Sequence, residues 1–163
     1  MSNSIRLLDD AAIRELSRGA IESPRKRNHQ LWHQSHQESV QRIAMWLEPE
    51  TYVRPHLHPQ DYKWEMMILL QGAARLISFD DTAEVTQVVE LSPQGVMMVE
   101  MPPLTWHTFV VLEPTLLVEV KPGPFEAAQP EDFAQWAPME GEPQCADYIE
   151  HWRGVSCGDS GAL

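Results

Sequence analysis

The segment Tyr52-Val53-Arg54-Pro55-His56-Leu57-His58, followed after Pro59-Gln60-Asp61 by Glu65, decides the reading of this chain. Residues two apart on a strand project to the same face, so His56 and His58 can address one ion. A turn through residues 59–61 would fold the next apolar run, residues 65–70, back beside the first and bring the Glu65 carboxylate to the imidazoles. Much later, His107 follows the proline corner Pro102-Pro103-Leu104. Three imidazoles and one carboxylate make a mixed nitrogen and oxygen shell suited to iron, manganese, nickel or zinc. The alternative is a polar core cluster that holds no ion.

Around this segment the chain reads as short strands. Residues 40–47, 66–70, 74–79, 85–91, 96–101, 108–111 and 115–120 are apolar or alternating runs. Turn formers separate them, among them Gly72, Asp80-Asp81, Ser92-Pro93-Gln94-Gly95 and Glu113-Pro114. That spacing indicates an all-β sandwich or barrel, and no helix-length segment interrupts it as an α/β fold would require. Before the strands, Asp9 and Asp10 are suitable caps for a helix to about Ile21, with Ile13, Leu16 and Ala20 at helical spacing. Residues 25–37 are polar and read as an extended arm or loop. After Pro124, residues 132–136 and 147–152 read as short helices on the outside of the barrel, and residues 156–163 as a flexible tail. The expected division is an N-terminal helix and arm packing on the barrel (1–39), the barrel (40–125) and a C-terminal extension with short helices and tail (126–163) within one structural domain.

The arrangement His56, His58, six residues, Glu65, six residues, Gly72 resembles the first motif of the cupins, with a longer hairpin than the usual three or four residues. Pro102 and His107 match the second motif; Leu104 stands where that motif has glycine, and Val111 replaces its terminal asparagine. Further stretches narrow the resemblance: Ser23-Pro24-Arg25-Lys26-Arg27-Asn28, Trp106-His107-Thr108, Glu119-Val120-Lys121-Pro122-Gly123-Pro124-Phe125 and Phe133-Ala134-Gln135-Trp136-Ala137-Pro138. Together with residues 52–58 they are similar to the WbuC family of cupin-fold metalloproteins, over roughly residues 5–138. The resemblance implies a cupin barrel (a double-stranded β-helix or jelly roll) with an N-terminal helix and short C-terminal helices. It also implies a bound metal and an association with polysaccharide biosynthesis. Phe125 stands where that family would have tyrosine.

The remaining candidates follow from position and chemistry. Arg25, Arg27 and Arg54 could grip a carboxylate or phosphate, and Lys121 could line the cavity with Glu119, two residues away on one strand face. His33, Tyr52 and Glu119 are the candidate acids or bases beside an open coordination position. Met67 and Leu69 share the face of Glu65 and should line an apolar interior, whereas Trp64 and Trp106 should point away from the ion. His29, His33 and His36 offer a rival metal site without a rigid element to hold it. The expected function is a metal-dependent enzyme, of isomerase or dioxygenase type, acting on a small polar molecule such as a sugar derivative. The alternatives are a non-catalytic binding cupin whose single divalent transition metal anchors the ligand, and a structural ion.

Bulk properties bound these readings. With 12 basic and 24 acidic residues the net charge is −12, which argues against nucleic acid as a partner. The longest apolar run, residues 66–70, is too short to cross a bilayer, and residues 1–10 lack the apolar core of a secretory signal. Cys145 and Cys157 read as two reduced thiols of a cytoplasmic protein. Edge strands and six tryptophans point to a homodimer.

Overall fold

The computed structural model describes residues 5–163, so the first four of the ten N-terminal residues read for a signal lie outside the described residues. Helix α1 (Asp10–Glu22) begins where the sequence places it, with Asp9 as N-cap accepting from the Ala12 amide at 3.0 Å. Six strands follow: β1 (Arg27–Leu31), β2 (Val40–Leu47), β3 (Glu65–Phe79), β4 (Val85–Leu91), β5 (Met98–Met101) and β6 (Trp106–Pro122). A 3-10 turn over Pro130–Asp132 and helix α2 (Cys145–Gly154) complete the chain.

The strands join in the order β1-β2-β6-β3-β4, with β5 also on β3, and the ladders between them are antiparallel. β3 and β6 are each one continuous strand where the sequence suggested two. Their shared ladder slips register between Leu69 and Ala74, and there both strands bend. Gly72 makes the bend possible: its φ is +87°, and a Cβ would run into the Pro114 carbonyl and Thr115. The ladder therefore rolls into two facing halves. One consists of β1, β2, the end of β6, the start of β3, and β5. The other consists of β4, the end of β3 and the start of β6, to which residue 56 adds a bridge. This is a jelly-roll barrel.

Alternation assigns the faces. Met67, Leu69, Leu76, Phe109, Val111 and Leu117 meet inside the barrel, as expected for the residues that follow Glu65. Outside the first half, Leu16 and Ala20 of α1 cover Ala44, Trp46 and Leu116. Outside the second, Tyr148, Ile149 and Trp152 of α2 pack on Ile77, Phe79 and Val110. Arg75 fixes that helix by donating to the carbonyls of Trp152, Arg153 and Val155 at 2.7, 2.5 and 2.7 Å. A cation is favourable at a helix C-terminus.

Three expectations are corrected. The polar stretch is not simply an arm or loop, because residues 27–31 form the regular strand β1 and pair with β2. Of the first C-terminal helix only one 3-10 turn exists, and Phe133 beyond it is extended and bridged to His56. The tail is anchored: the Val85 amide donates to Asp159 O at 2.8 Å and the Gly161 amide to Ala83 O at 2.7 Å.

Leu104, at the glycine position of the second motif, adopts φ +62° and is 55% exposed. The left-handed conformation costs a non-glycine residue about 1–2 kcal/mol, and glycine gives back about 0.4–1 kcal/mol through its freer unfolded chain. Leu104→Gly should therefore raise stability by on the order of 0.5 kcal/mol, and Leu104→Val should lower it, as read from thermal melts.

Candidate metal centre

The barrel interior is apolar at one end and polar at the other, and the polar end is built by the same alternation. On β3, Glu65 precedes Met67 on the inward face. On β6, His107 precedes Phe109, and Glu119 and Lys121 follow Leu117. On β2, Gln41 lies opposite Lys121, with 2% of its surface exposed. His56 reaches this end because its backbone exchanges both hydrogen bonds with His107, at 3.0 and 2.9 Å.

Three histidines converge there. The candidate ligand atoms of His56, His58 and His107 all lie within 4.8 Å of one another. The expected carboxylate joins them: Glu65 Oε2 is 2.6 Å from His58 Nε2 and 4.0 Å from His107 Nε2. Nδ1 of His56 lies 2.9 Å from Arg54 O, and Nδ1 of His107 lies 2.9 Å from Thr105 O. A carbonyl only accepts, so each Nδ1 carries the proton and each Nε2 presents a bare lone pair. Nε2 of His107 is buried without a hydrogen-bond partner, an expense that a bound cation would remove. Burial pushes the His56 imidazole down to about 3, with the neighbouring His107 adding to the effect, and burial also lowers His107. Both rings are therefore neutral, the form that binds a metal. The residues fit a divalent transition metal.

The charges around Glu65 form a closed group. Lys121 Nζ lies 2.6 Å from Glu119 Oε1 and 3.9 Å from Glu65 Oε2. Burial alone would raise the Glu65 carboxyl, but Lys121 and the hydrogen bond to His58 hold it well below the usual carboxylate range. Glu119 is raised by burial and by the nearby Glu65 charge, against the pull of Lys121. Lys121 is raised, because the two carboxylates outweigh its own burial.

A cavity of ≈ 180 Å³ opens beside the histidines, lined by His56, His58, Gln41, Lys63, Lys121 and Phe125 among others. Sequence reasoning missed Lys63, which is 4% exposed. It lies two residues before Glu65 and so shares its inward face, a signal that alternation carries.

Other sequence candidates lie elsewhere. Arg25 donates to both Glu140 oxygens at 2.7 Å, and Arg27 joins the same carboxylate, so that pair is occupied within the chain. The Tyr52 ring stacks on Trp152 beneath α2, and its hydroxyl donates to Pro138 O at 2.8 Å, which removes it from the histidines. Arg54 donates to Ala134 O at 2.8 Å and covers the Phe133 ring, behind the cavity wall. His33 accepts from the Arg42 amide at 3.0 Å and meets the cavity only through His36, whose ring packs on Phe125. The rival set of His29, His33 and His36 does not form a metal cluster among the described residues. Trp106 points outward, as expected, and bonds Asp81 at 3.1 Å.

A family model described as a domain of unknown function (DUF6016) matches residues 8–91, just over half of the chain. The chain belongs to this family. The matched span carries His56, His58 and Glu65, whereas His107, Glu119 and Lys121 lie beyond it. No curated protein matches the sequence significantly. Among solved structures, a conserved protein of unknown function from Streptococcus pyogenes (SPY1581) is similar with a TM-score of 0.52 at 12% identity, over 77% of this chain and 93% of its own. TT1209 from Thermus thermophilus gives 0.51 at 19% identity, over 72% and 97%. A cupin superfamily protein from Desulfitobacterium hafniense gives 0.47 at 18%, over 59% and 76%. The family's fold in this chain is the jelly-roll barrel described above. No helix among the described residues is long and apolar enough to cross a membrane.

The buried imidazoles make metal-free stability sensitive to acid. The unfolded chain binds a proton at His56 near pH 6.5, the folded chain only near 3. Stability should therefore be complete above about 6.5 and fall as the pH drops towards 3, by up to about 1.4 kcal/mol per pH unit for this residue. Urea titrations across that window check the slope. Saturating zinc should raise stability throughout without flattening it, because metal-bound imidazoles stay unprotonated in the folded state while the unfolded chain still binds protons.

Proposed function

We infer that this protein is a metal-dependent cupin enzyme acting on a small polar molecule, a sugar or sugar derivative, as the WbuC resemblance suggests. One divalent ion per chain, iron, manganese, nickel or zinc, would be held by His56, His58, His107 and Glu65. The observation that carries this reading is the convergence of three imidazoles, with His56 and His107 held neutral by burial, and an ionised Glu65 carboxylate beside a cavity. When bound, such an ion supplies Lewis-acid polarisation of a carbonyl or hydroxyl oxygen, or redox chemistry if it is iron.

The chain's own groups would do the rest. Lys63 and Gln41 on the wall would orient oxygen atoms of the ligand, and Glu126 and Asp132 on the same wall balance the charges of Lys63 and Lys121. Glu119, raised by burial, is the group best placed to hold a proton at its carboxyl oxygen near the cavity. His33 would act only through His36 and Phe125. Two free cysteines would suit a cytoplasmic protein.

A second reading is a binding module without turnover. It is favoured by the 2.6 Å contact that ties Lys121 to Glu119, which would leave no free base beside the ligand. The test is an NMR screen of the metal-loaded protein against sugars, sugar acids and sugar phosphates. Turnover that His58→Ala abolishes supports the enzyme, with isomerisation or oxygenation told apart by the product. Metal-dependent binding without product supports the second reading.

A further inference from the structure

The outer face of the barrel's first half is apolar, and α1 covers only part of it. Two rows run across it in register. One is Met98–Ile68–Val118–Ala44, and the other is Glu100–Met66–Val120–Arg42. The α1 helix lies over β1 and β2 and buries Ala44. Met98 is 56% exposed, and Leu70, next on β3, is 44% exposed. Met66, Ile68, Val118 and Val120 are partly exposed, and none of them belongs to the buried core clusters or to the residues packed against those clusters. A contiguous apolar sheet face of this kind marks an interaction site.

The charges at its two ends identify the occupant. Arg42 stands at the β2 end and Glu100 at the β5 end of the same row. Arg42 pairs with Glu38 at 2.6 Å but remains 46% exposed; Glu100 has no ionic partner among the described residues. A two-fold axis along β3 would stack Met66 and Ile68 on their own symmetry mates and lay β5 of each copy over β6 of the other. The α1 helices would then stand outside the overlap. Glu100 of each copy would arrive over Val120 of the other, one strand spacing of about 4.8 Å from its Arg42. A surface that matches itself in this way under a two-fold is what an isologous dimer requires.

We propose that this face is the interface of a homodimer, with a second copy seated on Met66, Ile68, Val118 and Met98 and with two reciprocal Arg42–Glu100 contacts. The interface does not depend on the metal or on any activity, and either can fail without the other.

The test is the solution mass by light scattering at tens of micromolar. The wild type should run at twice 18.6 kDa. Ile68→Glu and, on the exposed edge strand, Met98→Asp should each give a monomer that still melts cooperatively. If Ile68→Glu fails to fold, Met98→Asp decides. Arg42→Glu and Glu100→Arg should each weaken the dimer at least about tenfold. Mixing these two single variants should restore it, because the mixed dimer has opposite charges at both contacts. A monomeric wild type, a dimer indifferent to Ile68→Glu and Met98→Asp, or mixed charge variants that stay apart would each overturn the proposal.

Discussion

Purified without a histidine tag, the protein is expected to hold close to one equivalent of iron, manganese, nickel or zinc by elemental analysis, and His56→Ala/His58→Ala none. The expectation rests on the state of the ligands rather than on their count. His56 and His107 each have Nδ1 occupied by a backbone carbonyl, so Nε2 is free and aimed in advance. Disturbing a group that merely supports a ligand weakens metal binding about 10–100-fold. Removing two direct ligands must cost more, so the double variant should read as empty. Glu65→Gln keeps the imidazoles and should retain the ion more weakly. A wild type that holds no metal and takes up none on incubation would end the metalloenzyme reading. The barrel would then be a ligand-binding module. Iron would direct activity screens towards dioxygen, and zinc towards isomerisation.

Lys121→Met is expected to produce the largest loss of stability in the metal-free protein. Lys121 neutralises two carboxylates that are almost fully buried, with Glu65 3% and Glu119 7% exposed. Breaking such a group by removing one partner typically costs about 3–5 kcal/mol, because charge is left behind in a poor solvent for it. For a chain of this size that corresponds to a fall in Tm on the order of 10 °C. Glu119→Leu/Lys121→Met removes charge of both signs and should recover a substantial part of the loss. A double variant as unstable as the single one would show that Lys121 acts through packing of its stem and not through its charge. Bound metal should shrink the effect, since the ion would also neutralise Glu65.

The barrel was legible because inward residues recur with period two and turn formers separate the runs. Asp9 as a cap and the strands over residues 40–47 and 85–91 agree with the structure to the residue. The breaks at Gly72 and Glu113-Pro114 misled because a strand that bends from one half of a barrel to the other needs such residues without ending there. Residues 27–31 read as an arm or loop because they are polar, yet an edge strand gains its place from backbone pairing, which composition does not record. The convergence of the histidines could be read from spacing, since His56 and His58 share a strand parity and Glu65 opens the return strand. The fate of the arginines could not. Arg25 and Arg27 are drawn to Glu140 across more than a hundred residues, and no local pattern announces that partner. Lys63 was the avoidable omission, since the alternation that placed Met67 and Leu69 inside places it there too.

The continuity of β3 and β6 through the bend has one more consequence. Neither half of the barrel owns its central strands, so neither can come apart while the other persists. Unfolding should therefore proceed in a single cooperative step, with amide hydrogens at both ends of β6 exchanging at the same rate. Glu65 opens β3 in one half and His107 stands near the start of β6 in the other, so no partly folded form retains the ligand set. An ion that binds only the complete barrel should delay global opening by its full binding free energy.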